Sequence, residues 1–88
     1  VERLVALLLS IAVLGIAFLG YVSYREFAKA GSYFRAAGEL LKDVETPRDV
    51  VTYIHSVFMG AQHVLSGLLG LAAMLFAIVI TVKVLEEV

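Results

Sequence analysis

The sequence predicts an all-α protein, a two-helix transmembrane antiparallel hairpin with long helices and a charged neck outside the membrane. Three observations lead there. Apolar residues fill 61% of the 88 positions and charged ones 17%, against roughly 45–50% and about 25% in ordinary soluble domains. Two apolar stretches are long enough to cross a bilayer, and the charges between them sit among apolar residues at helical spacing. A soluble chain this short keeps much of its surface wet, so the surplus must face lipid or other copies of the chain.

The first span covers residues 4–24, which include 21 consecutive positions without a charge. As a helix this is about 32 Å long, matching a hydrocarbon core of about 30 Å. Twelve of the 21 are Leu, Ile, Val or Phe, each favouring insertion by roughly 0.3–0.6 kcal/mol near the bilayer centre. A signal peptide would have a shorter apolar region behind a basic start, whereas here Glu2 and Arg3 cancel. The sequence starts at Val1, as expected of a processed N-terminus.

The second uncharged run, residues 50–82, lies between Asp49 and Lys83. Its most apolar part, 64–82, gives about 28 Å of helix and is the second span. Thr52, His55, Ser56, Gln62 and His63 make 50–63 more polar, which assigns that part to helix outside the hydrocarbon or buried against protein. Neither run alternates with period two, so a β-barrel is excluded.

The charged neck is residues 25–63. Phe27, Ala30, Phe34, Ala37, Leu41 and Val44 recur at three- and four-residue steps, one face of a helix. Gly31 and Gly38 weaken that helix without forbidding it. Thr46-Pro47-Arg48-Asp49 reads as a helix start. Thr46 can accept from a backbone N–H of the first turn, Pro47 suits the first helical position, and Asp49 can reach back in a capping box. The turn is thus expected at 45–46. Folding there pairs residues whose numbers sum to about 91 and sets both spans in one slab. Tyr21 and Tyr24 then suit the membrane interface. Five Lys or Arg residues in the neck against Arg3 and Lys83 at the ends place the neck in the cytoplasm and both termini outside.

Charge and cysteine content remove whole classes of function. A net charge of −1 lacks the basic excess of a dedicated nucleic-acid-binding domain, and zero Cys excludes disulfides, thiolate metal sites and iron–sulfur clusters. No phosphate loop, paired catalytic acids or nucleophile–base pattern stands out, so no enzyme is expected. His55 and His63 are about 12 Å apart along a helix and cannot share one iron. A dimer could bring one His63 per chain to a haem, but the plainer reading is a boundary histidine bonded to a backbone or hydroxyl group. No metal or cofactor is expected beyond structural phospholipid.

Small residues mark two candidate packing or assembly faces: Ser56, Gly60, Gly67 and Gly70 on the second helix, and Ala6, Ser10, Ala17 and Gly20 on the first. Helices in lipid associate largely through such close approach, so Gly67→Leu is expected to disturb assembly and spare insertion. The neck charges are ordered as well, net +2 over 25–35 and −2 over 39–49. Arg25, Lys29 and Arg35 suit lipid phosphates near the slab, while the acidic tip faces water or a neighbouring copy.

The hairpin is similar in size to the ring subunit of rotary ATPases, but the span at 64–82 lacks the acid that ion carriage requires there. Small multidrug transporters likewise need an embedded acid and more spans. In architecture the chain resembles the pilins of conjugation and type IV secretion systems, including archaeal DNA-transfer relatives. That resemblance rests on two spans, small-residue faces and a compact charged tip rather than on a motif, and here the inter-helix region is long and its charges balance. It implies a homopolymer drawn from the membrane into an extracellular filament, with phospholipid between copies. Arg25, Lys29, Arg35, Lys42 and Arg48 would then face a lumen or headgroups, and DNA would pass without sequence-specific binding. An accessory subunit of a larger membrane complex, such as a respiratory assembly, is the alternative. A holin-like hairpin ranks third, because the ending after Lys83 is acidic on balance. The lack of Asn and the single Gln62 suit a hot habitat.

Overall fold

A computed structural model describes residues 2–87; Val1, where processing is expected, lies outside them. Two helices make up the fold, α1 (Glu2–Leu41) and α2 (Pro47–Glu87). They lie antiparallel in a rod of 67 × 16 × 14 Å. The all-α hairpin expected from the sequence is therefore the fold, and both helices are long and apolar enough to cross a membrane.

Each helix runs unbroken from its apolar part into its polar part. Gly31 and Gly38 are accommodated inside α1 without a positive φ. At the tip α1 ends sooner than its apolar spacing suggested. Lys42 and Asp43 donate back three residues, to Glu39 and Leu40, each at 3.2 Å. Such bonds tighten and close a helix. The reversal therefore occupies residues 42–46 rather than 45–46 alone, and Val44 leaves the helical face to stand exposed, as does Leu41. Physically, antiparallel helices need a loop of about 2–5 residues, and Pro47 forces the residue before it out of helical geometry.

The capping box forms around that constraint. The Asp49 carboxylate accepts from the Glu45 and Thr46 backbone N–H groups at 3.1 Å each, and the Thr46 hydroxyl accepts from the Asp49 N–H at 3.4 Å. Thr46, Pro47 and Asp49 thus stand in the roles the sequence assigned, with Glu45 an added donor.

The helices meet along a seven-residue repeat. On α1 the less exposed positions step by four and three through Val5, Leu9, Ala12, Ile16, Leu19, Ser23, Glu26, Ala30, Tyr33 and Ala37. On α2 they run Tyr53, Ser56, Gly60, His63, Gly67, Gly70, Met74, Ala77 and Thr81 in the same rhythm. This is the seam of an antiparallel coiled coil. Its deepest members are all small: Ser23, Ala30, Ala37, Ser56, Gly60 and Gly67. The large apolar side chains point outward, Leu14 at 70% exposure and Phe76 at 67% among them. Total accessible surface is 6792 Å², where a compact soluble protein of 9.5 kDa would show roughly 5,000 Å².

Candidate functional site

Two regions combine unusual chemistry with defined geometry: the part of the seam where polar groups lie between the helices, and the outward faces that the hairpin leaves uncovered. The seam site begins at Ser23. Its buried hydroxyl donates to the Gly67 carbonyl of the opposite helix at 3.0 Å, and Gly70 sits against the same hydroxyl. Only a residue without a side chain lets the two backbones come this close. A Cβ at Gly67 would meet the Phe27 ring at 2.9 Å, and one at Gly60 the Phe34 ring at 2.8 Å. The two phenylalanines thus fold over the two glycines from the flank of the seam. These pairs lie within a helical turn of the antiparallel register the sequence gives.

One turn further towards the tip, a carboxylate and an imidazole meet across the seam. His63 Nδ1 hydrogen-bonds Glu26 Oε2, and the imidazole stacks on Tyr33 with ring centroids 5.4 Å apart and planes 9° apart. Lys29 Nζ lies 3.9 Å from the other Glu26 oxygen, a partly exposed pair that adds little by itself. The histidine therefore has a carboxylate and an aromatic ring as partners where a backbone or hydroxyl group was expected. Its imidazole is engaged on one nitrogen and one face, inside the hairpin.

The hydrogen bond from His63 holds the Glu26 carboxyl below the usual carboxylate range, with the nearby positive charges adding to it and partial burial opposing. Asp49 is held low too, chiefly by the Glu45 and Thr46 N–H donors. A lowered carboxyl contributes stability above its unfolded pKa of about 4 and loses it as the pH falls through the folded value. Acidification from pH 5 to pH 3 is therefore expected to loosen both clasp and tip. Thermal melts in detergent micelles should show that slope, reduced in Glu26→Gln and again in Asp49→Asn. A wild-type melting temperature flat across the interval would refute it.

The residues singled out from the sequence divide by location. Ser56, Gly60, Gly67 and Gly70 all line the seam. On α1 only Gly20 does, with Met74 Sδ 3.2 Å from where its Cβ would be. Ala6, Ser10 and Ala17 are exposed, and the Ser10 hydroxyl satisfies itself on the Ala6 carbonyl at 2.9 Å. Because Gly67 packs inside its own hairpin, Gly67→Leu acts first on the hairpin and only then on contacts between copies. Arg25, Lys29, Arg35, Lys42 and Arg48 are all exposed around the neck, with Arg25 Cζ 5.9 Å over the Tyr21 ring. Glu26 and Ser23 escaped the sequence reading as seam partners; a single acid on the register facing His63 was the available signal.

Near the termini the seam opens into two apolar grooves. One is lined by Val5, Leu8, Ala12, Ile80 and Val84, the other by Gly15, Phe18, Leu19, Phe76 and Ala77. Among the described residues no group of three or more His, Asp or Glu is placed to hold a metal ion. No family model, curated protein or solved structure matches the chain.

Proposed function

We propose that this chain is a structural subunit, a pilin of a conjugation-type pilus that stores in the membrane as a hairpin and assembles with sister copies and phospholipid. The observation that carries this reading is the inversion of the rod, whose seam is closed by Ser, Ala and Gly while its large apolar side chains face outward. Such a rod is finished inside and unfinished outside. In the membrane its spans sit in lipid with the neck in the cytoplasm and the termini outside, following the lysine and arginine bias. The grooves near the termini suit acyl chains, which supports structural phospholipid between copies. Arg25 and Lys29, beside the Tyr21–Tyr24 boundary, suit the phosphates of those lipids. Arg35, Lys42 and Arg48 lie further out and suit a lumen through which DNA passes.

Electron microscopy of the purified protein is the test. Filaments containing this chain and phospholipid alone are expected. A single copy held in a large complex of other proteins would overturn the reading in favour of an accessory subunit.

A further inference from the structure

The uncovered surface is not uniform, and two of its rows run the length of the rod. Along the outer side of α2, a ridge repeats every seven residues through Val51, Phe58, Leu65, Ala72, Val79 and Glu86. Val51, Phe58 and Leu65 are 66%, 59% and 59% exposed, although Val51 and Phe58 belong to the neck. Along the flank of α1, a groove repeats at the same step through Arg3, Ser10, Ala17, Tyr24, Gly31 and Gly38, all exposed. A Cβ at Gly31 or Gly38 would meet nothing within 4 Å.

The hairpin fixes the relative heights of these rows. Phe34 lies level with Gly60 and Phe27 with Gly67, so Phe58 stands level with the gap between Gly31 and Gly38. Because both rows repeat about every 10.5 Å, the match continues down the rod. Leu65 falls between Tyr24 and Gly31, and Val79 between Ser10 and Ala17. Where Tyr24 fills the groove, the ridge drops to Ala72. At the end of the rod Glu86 falls between Arg3 and Ser10, nearer Ser10. Large meets small, and small meets large.

From this we infer that the α2 ridge of one copy seats in the α1 groove of the next, with the two hairpins parallel and at equal height. The membrane imposes that common height and orientation on copies inserted the same way. One long side of a 67 × 14 Å rod offers roughly 900 Å², enough for a standard interface of about 800 Å² per partner. Lipid is a poor cover for the neck part of the ridge, since Arg35, Glu39 and Lys42 at the same level are exposed and need water. Ridge and groove are different surfaces of one chain, so the contact is heterologous and propagates as a ring or an open filament. The inference rests on the homopolymer reading for its partner and adds the face, the register and the polarity of the contact.

The chain has no cysteine, so introduced thiols are unambiguous. Gly38→Cys and Phe58→Cys chains, whose positions lie about 3 Å apart in height, mixed in phospholipid vesicles and oxidised, are expected to form the mixed disulfide at least tenfold over either homodimer. Both positions are exposed, so neither change burdens the hairpin. Homodimers equal to or exceeding the mixed species would overturn the contact, as would no bridging. Micrographs of the same samples separate the two levels of the argument. Filaments without the mixed bridge sink the ridge-and-groove contact alone, whereas the mixed bridge in small closed rings supports it and sinks the pilus reading.

Discussion

Gly67→Leu is expected to part the two helices. The new Cβ would stand 2.9 Å from the Phe27 ring, well inside ordinary carbon–carbon contact of about 3.5–4.0 Å. The remaining carbons of the leucine would extend further into the same ring, on a residue whose carbonyl holds the Ser23 hydroxyl. Overpacking of a tight seam costs about 1–3 kcal/mol, and this hairpin has little with which to offset it, since no large side chain among the described residues is fully buried. In the membrane, lipid is as apolar as leucine, so a seam that has lost close contact has no hydrophobic drive to restore it. Gly67→Ala should be milder, because the obstruction is the far edge of a movable ring. Phe27→Ala combined with Gly67→Leu should recover part of the loss by returning the volume, a coupling that a double-mutant cycle measures. The reading to take is helix proximity, through spin labels on the exposed sides of the two helices. A Gly67→Leu hairpin with wild-type distances would show that the seam is looser than these contacts imply.

The same seam shows how far the sequence could be read. The two long apolar helices, the capping box and the approximate register were legible because each depends on a local feature: an uncharged run, a Thr-Pro-Arg-Asp tetrapeptide, a turn between periodic segments. The second helix was legible in finer detail, since Ser56, Gly60, Gly67 and Gly70 share one stripe and that stripe is the seam. The first helix was not. Two small-residue rows run along it, Ser23–Ala30–Ala37 facing α2 and Ser10–Ala17–Gly31–Gly38 facing out. In an apolar span both faces look alike, because hydropathy does not separate a lipid-facing side from a helix-facing one. A hydroxyl away from water needs a partner, but that clue points both ways: Ser23 finds its partner on α2, whereas Ser10 in the outward row bonds its own helix at Ala6. The Glu26–His63 pair escaped for another reason: it depends on register to within a residue, and the turn was expected one to two residues from its true centre.

Leu14→Arg carries the second large effect, and it tests where lipid lies. Leu14 is the midpoint of the expected first span and points away from α2 at 70% exposure. It belongs to an outer row that continues at seven-residue steps through Tyr21, Ala28, Arg35 and Lys42. That row changes from apolar to aromatic to basic as it leaves the expected slab, with Arg25 resting over the Tyr21 ring at the crossing. An arginine at the centre of a span disfavours insertion by about 2.5–3.5 kcal/mol, and the lost leucine adds about 0.5 kcal/mol. The expected outcome is a drop in membrane-integrated chain of roughly a few hundredfold in the insertion equilibrium, read by carbonate extraction or by glycosylation tags at the termini. Snorkelling offers little relief at this depth, because either interface is about 15 Å away. Arg35→Leu on the same row should leave insertion unchanged, since position 35 lies about ten residues beyond the slab edge. The contrast between the two substitutions, rather than either alone, locates the boundary. Equal insertion of Leu14→Arg and wild type would mean that this face of α1 never meets hydrocarbon, and both the slab and the membrane store of subunits would have to be abandoned.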